Sequence, residues 1–127
     1  MAEPLLLTYN LNGLTAAGVR GVCEELGIRV REVRREEYAL PIGALAGIPM
    51  ATSGAPSGQA FDDEMLVMCH MLSDQLDAFL QGMRTRGVPR IALKAVLTPT
   101  NVTWSSAQLR DELAQEHAAM ARQTRKP

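Results

Sequence analysis

Two short, largely apolar runs, each five residues long and each followed by a helical repeat, constrain this chain more than any other feature. Leu5–Tyr9 is closed by Asn10, Asn12 and Gly13, as a buried strand is. From about Leu14 the period changes. Val19, Val22, Cys23 and Leu26 follow the i, i+3, i+4, i+7 spacing of an amphipathic helix, and Gly27 stands where a C-terminal cap belongs. Ile28-Arg29-Val30-Arg31 then alternates apolar and charged residues, the mark of a half-exposed strand.

The same succession returns downstream. Met65–Cys69 is the second apolar run. Ser73 stands as an N-cap for a helix carrying Leu76, Phe79, Leu80 and Met83, and that helix ends at Gly87. Ile91–Leu97 reads as a fourth strand, stopped by Thr98-Pro99. In the last helix Ser105 and Gln108 form a capping box, and Trp104 and Leu109 a hydrophobic staple. Leu109, Leu113 and Met120 continue its apolar stripe.

The order strand, helix, strand, strand, helix, strand, helix predicts an α+β fold. We expect a ferredoxin-like βαββαβ sandwich with an antiparallel four-stranded sheet and an additional C-terminal helix. The first and third strands are expected in the centre, with both earlier helices on one face. One domain spans 1–122, with an uncharged, Gly/Pro/Ser-rich connection at 36–61 and a frayed tail at 123–127.

At 127 residues the chain is long enough for a core without disulfides or metal. Only 4% of it is aromatic, so Leu, Val, Ile, Met and Ala must fill that core. A net charge of −1 gives no global field to recruit nucleic acid or an acidic membrane. Cys23 and Cys69 lack zinc-site or redox-pair spacing and read as buried thiols, which fits a reducing, cytoplasmic compartment. Residues 39–61 carry no charge, but ten of those 23 residues are Gly, Pro, Ser or Thr. That interrupts any membrane-spanning helix, and the N-terminal apolar run is too short for a signal peptide.

Most motifs have plain structural readings. Gly18-Val19-Arg20-Gly21 matches the GxxG of RNA-binding KH domains, but it lies inside a helical pattern, where close packing against the sheet accounts for it. The RRM shares this strand order yet needs stacking aromatics that Met65–Cys69 does not offer. Arg29, Arg31, Arg34 and Arg35 are interleaved with Glu32, Glu36 and Glu37, as on a solvated strand edge. Cys69 and His70 are adjacent on a strand and point to opposite faces. His117 sits at the core edge of the last helix. No metal site, cofactor or catalytic set is called for.

Lys94 departs from its surroundings, a lone ammonium among Ile, Ala, Leu and Val. It must snorkel, pair or serve a ligand. Thr98, Thr100 and Asn101 follow between a strand end and a helix N-terminus, a natural place for an anion or for a self-contained turn. Lys94, Thr98, Thr100 and Asn101 are therefore the candidate ligand- or partner-binding residues.

Phe61–Cys69, and Lys94-Ala95-Val96-Leu97-Thr98-Pro99-Thr100-Asn101 followed by Trp104, resemble a bacterial family of small domains of unknown function. The resemblance runs from Tyr9 to His117. It implies a standalone bacterial cytosolic domain and brings no activity, cofactor or catalytic residue with it.

Two function classes follow from these readings. The first is a non-catalytic binding or regulatory module acting through self-association or a protein partner. The apolar segment Pro41–Pro49 points to a homodimer. The second is a small anionic-ligand site, or an enzyme, built on Lys94 and the Thr98–Asn101 turn.

Overall fold

The computed structural model describes residues 3–50 and 60–124. The strands are β1 (Leu5–Tyr9), β2 (Arg29–Glu32), β3 (Met65–Cys69) and β4 (Leu93–Val96). The helices are α1 (Gly13–Leu26), α2 (Ile42–Leu45), α3 (Ser73–Thr85) and α4 (Ser106–Thr124), with a 3-10 turn at Arg35–Glu37. The α+β reading holds, and so do the central positions of β1 and β3 in the order β2-β1-β3-β4.

The sheet is mixed, which corrects the expected antiparallel arrangement. β1 runs parallel to β2 and β3 parallel to β4, and only the central β1–β3 pair is antiparallel. The middle connection decides this. In a ferredoxin-like order β2 must lie beside β3, which a short hairpin enforces. Here the described residues between β2 and β3 place Val33, Tyr38, Ile42, Leu45, Ala46 and Phe61 in the core under the sheet instead. Nothing then ties β2 to β3, and each edge strand lies beside the strand its own helix left.

Each face of the sheet has its own core. Leu6, Leu66 and Met68 face α1 and α3, where Val19, Val22, Cys23, Phe79 and Met83 are buried. The two helices thus share one face, as the apolar periodicity requires. They approach closely: a Cβ on Gly18 would lie 2.8 Å from Val88, and one on Gly82 would lie 2.9 Å from Val22. Gly18 therefore answers to the end of α3 rather than to the sheet.

On the opposite face Leu7, Tyr9, Met65, Val67 and Leu93 meet the middle connection and Leu109 of α4. All five residues of β3 are consequently buried. Tyr9, Tyr38 and Phe61 form an aromatic cluster, with Tyr38 and Phe61 stacked at 4.5 Å. Tyr9 Oη pairs with Ser106 Oγ at 2.7 Å, which fastens α4 to the central strand. Burial pushes the Tyr9 phenol well above its ordinary value, against the Ser106 hydrogen bond, so it is a neutral structural group.

The expected capping residue Ser105 accepts from the Gln108 amide at 3.2 Å, and Gly27 and Gly87 adopt the left-handed conformation expected of them. α3 begins one residue earlier than its cap was placed: Leu72 is the N-cap and Ser73 is already helical. His117 and Met120 are exposed, whereas Ser106, Ala107 and Leu109 at the start of α4 are buried and Leu113 packs against the core.

The segment Pro41–Pro49, expected to drive self-association, packs within the chain. Ile42, Leu45 and Ala46 are buried, and the Ile42 and Gly43 amides donate to the Trp104 and Val102 carbonyls, both at 2.9 Å. A Cβ on Gly43 would meet Val102 at 2.5 Å, so a side chain there would push the segment off α4's entry. The Thr52–Gly58 tip lies outside the described residues.

Candidate functional site

Two βαβ halves make up the sheet, and they correspond position by position. Leu5 matches Met65, Asn10 matches His70, and Gly27 matches Gly87, each pair sixty positions apart. Asn10 and His70 are the described non-glycine residues with positive φ, 57° and 59°. The pairing registers match as well, since Leu6 faces Val30 where Leu66 faces Lys94. The molecule therefore contains its own control: a feature present in one half and missing from the other is made by side chains and does not come with the βαβ geometry.

A groove between α1 and β2 is lined by side chains that differ in size from those at the matching positions of the other half. It encloses about 570 Å³, a volume typical of ligand sites. α1 lines it with Ala16, Val19, Arg20, Cys23 and Glu24, one face of the helix, and β2 with Val30 and Glu32. Ile28, Val19 and Cys23 form a buried floor, and Thr8 and Tyr38 close one end. The matching face of α3 carries Leu76, Phe79, Leu80, Met83 and Arg84. Phe79 and Met83 are buried, and Leu76 and Leu80 pack against the same core. Where α1 has Ala16, Val19 and Cys23, α3 fills the space with larger side chains. The groove exists because its side chains are small.

β2 is the open edge of the sheet, and no strand among the described residues pairs with its outer side. The Arg29 amide donates to Pro4 at 3.0 Å and the Val33 amide to Thr8 at 2.9 Å. Odd-numbered amides therefore face β1, and those of Val30 and Glu32 face outward along the groove. Val30 is 37% exposed despite being apolar. On the opposite face of β2 a second hollow of about 280 Å³ is lined by Leu5, Arg29, Arg31, Leu45, Ala46 and Gly47. The edge strand thus has space on both faces.

Charges frame these spaces. Arg31 donates to Glu37 at 2.6 Å and to the Leu45 carbonyl at 2.9 Å, fixing the connection against β2. The Arg34 amide, with help from Arg31, holds the Glu37 carboxyl below its ordinary range. Arg35 pairs with Asp62. Among the described residues no ion pair engages Arg20 or Arg34 at the groove mouth, nor Glu24 or Glu32.

Asn10 holds the end of the groove where β1 and β2 finish. Its Nδ2 donates to the Phe61 and Asp63 carbonyls at 2.9 and 3.1 Å, and its Oδ1 accepts from Tyr38 Oη at 3.1 Å. This places the aromatic cluster at the carboxyl ends of a parallel strand pair, where α/β sheets commonly bind ligands.

The residues singled out in the sequence occupy a different region. Lys94 is half-buried on β4, the other edge strand, and its Nζ donates back to the Ile91 carbonyl at 2.5 Å. Burial, and then the neighbouring Arg90, lower its pKa. It occupies the position matching Val30. A lysine on an edge strand discourages pairing with another chain. Thr98, Thr100 and Asn101 follow the far end of β4. The Thr98 amide donates to Asn101 Oδ1 at 2.9 Å, the Asn101 amide to Thr98 Oγ1 at 3.1 Å, and Asn101 Nδ2 to the Val96 carbonyl at 3.0 Å. Thr98 and Thr100 are exposed and Asn101 buried. The structure joins Thr98 to Asn101 and leaves Lys94 turned towards the start of the strand.

Both thiols are buried, and burial pushes each up to about 12. The His70 ring meets the Ala46 carbonyl through Nε2 at 3.0 Å. Among the described residues no group of three or more His, Cys, Asp or Glu is placed to hold a metal ion. No helix among them is long and apolar enough to cross a membrane.

Sequence reasoning took Arg29–Arg35 for a solvated edge and passed over the groove. The signal was present in the contrast between the two helical stripes, Ala16/Val19/Cys23 against Leu76/Phe79/Met83.

Residues 64–120 match the family described as a domain of unknown function (DUF3783). The matched stretch holds β3, α3, β4 and most of α4, with Lys94, Thr98, Thr100 and Asn101 among them. It begins well after Tyr9, and every groove residue precedes it. No curated protein and no solved structure matches the chain.

Proposed function

We propose that this chain is a non-catalytic protein-interaction module that takes an extended segment of a partner along β2, with alternate side chains of that segment in the α1–β2 groove. The carrying observation is the groove itself. It is walled by a helix and an edge strand whose Val30 and Glu32 amides face outward. Main-chain bonds to such an edge supply affinity, and side-chain pockets beside it supply specificity. The α3–β4 half, with the same backbone plan, carries the larger Leu76, Phe79, Leu80 and Met83 at the matching positions and a lysine on its edge.

The small-anion reading rests on Lys94 and the Thr98–Asn101 turn. It has less support, because Thr98 and Asn101 bond chiefly to each other and Lys94 bonds to Ile91. Self-association through Pro41–Pro49 also has less support, since Ile42, Leu45 and Ala46 are covered within the chain.

The test is selection of random linear peptides displayed on phage, followed by affinity measurement on the wild type and on Val30→Pro. Proline at this position removes an outward amide and no sheet bond, so the fold is expected to survive, with an unchanged circular dichroism spectrum. Selected peptides are expected to bind the wild type and to lose at least tenfold in affinity on Val30→Pro. If no peptide is selected, or those selected bind both proteins equally, the reading fails.

A further inference from the structure

The second hollow, across β2 from the groove, adds a constraint on the partner. A strand laid beside β2 alternates its side chains between the two faces. Those on the α1 face enter the groove, whose buried floor is Val19, Cys23 and Ile28. Those on the other face meet a hollow lined by Arg29 and Arg31, of which Arg31 is already engaged by Glu37 at 2.6 Å and Arg29 is the more available cation. The Arg29 side chain is 73% exposed and its ion pair with Glu3 spans 3.7 Å, so it is held only loosely. Opposite charges on facing strands attract and like charges repel.

We infer that the segment bound at β2 is acidic on one face, alternating apolar residues directed onto the Val19, Cys23 and Ile28 floor of the α1–β2 groove with Asp or Glu directed at Arg29. This rests on the reading of β2 as a docking edge. A second copy of the chain does not satisfy it. Antiparallel pairing of two β2 strands about a two-fold axis keeps matching faces together, so Arg29 and Arg31 of each copy would stand against those of the other. The charge pattern of Arg29-Val30-Arg31-Glu32 thus admits an acidic segment and opposes its own kind.

Three seven-residue peptides, acetylated and amidated, test this. Each carries Val at alternate positions, with Glu, Ser or Lys between. Affinity is measured by fluorescence anisotropy against the wild type, Arg29→Glu and Val30→Pro, with sedimentation of each protein alone. We expect the Glu peptide to bind the wild type roughly fivefold tighter than the Ser peptide, and the Lys peptide to bind weakest. Arg29→Glu should narrow the Glu preference at least threefold, and added salt should do the same. If the Glu and Ser peptides bind equally and Val30→Pro abolishes both, the acidic preference is wrong while β2 remains the docking edge. If none of the three binds, or all bind Val30→Pro as well as the wild type, both the preference and the docking edge are lost. A concentration-dependent dimer of the wild type that Val30→Pro dissolves would give the edge to a second copy and overturn the inference.

Discussion

Replacing Ala16 by Leu gives α1 the residue that α3 carries at the matching position, Leu76, and so tests whether the groove is empty. Ala16 is half-buried on the groove wall, and Leu76 is half-buried against the core of its own half. Leu adds three methylene equivalents. Full burial of each contributes about 0.8 kcal/mol, so half burial contributes about 1.2 kcal/mol in all. Rotamer entropy lost by the leucine offsets about 0.5 kcal/mol of that. The expected gain is therefore roughly 0.5–1 kcal/mol. With a urea m-value of about 1.5 kcal/mol/M, the midpoint should rise by about 0.3–0.7 M at constant m. Peptides selected on the wild type should lose at least tenfold in affinity, because the groove they use is now occupied. If Ala16 were already in tight contact, the added atoms would overpack the site and cost about 1–3 kcal/mol. A lower midpoint would therefore refute the reasoning, and a higher midpoint with unchanged peptide affinity would separate the groove from binding.

Two further outcomes test the frame around the groove. Tyr9→Phe and Ser106→Ala each strand a buried hydroxyl and should cost about 1–3 kcal/mol, while the double variant should cost scarcely more than one of them. Additive losses in urea unfolding would mean that Tyr9 and Ser106 do not act as a pair. Lys94 has a folded-state pKa below its unfolded value of 10.5, so the unfolded chain binds the proton more readily between the two. Wild-type stability should therefore rise with pH across that window. Lys94→Met should equal or exceed the wild type at neutral pH, with the difference shrinking towards about pH 10. A clear loss of stability on substitution would show that the Ile91 hydrogen bond outweighs the burial of the charge.

Local chemistry made much of this fold legible in advance. The apolar runs Leu5–Tyr9 and Met65–Cys69 could belong only to strands covered on both sides, and they are the central pair. Gly27 and Gly87 mark helix ends because the backbone there needs a positive φ, and Ser105 with Gln108 marks a helix start. The edge order was not legible, because it depends on where the connection after β2 travels. That segment is apolar without a period, and only the assembled sheet shows that Ile42, Leu45 and Phe61 belong beneath it. Lys94 stood out by composition, which reports an unusual residue but not which strand forms the edge. The groove was hidden for the opposite reason. Ala16, Val19 and Cys23 are ordinary core residues one by one, and their small size carries meaning only beside Leu76, Phe79 and Met83 in the other half.

Amide hydrogen exchange at single-residue resolution, with and without a selected peptide, tests the central claim most directly. In the free protein the amides of Val30 and Glu32 should exchange fast, while those of Arg31 and Val33, which face β1, should be protected. Saturation with peptide should protect Val30 and Glu32 and leave β4 unchanged. Protection at Lys94 or along the Thr98–Asn101 turn instead, with Val30 and Glu32 still exchanging fast, would contradict the account.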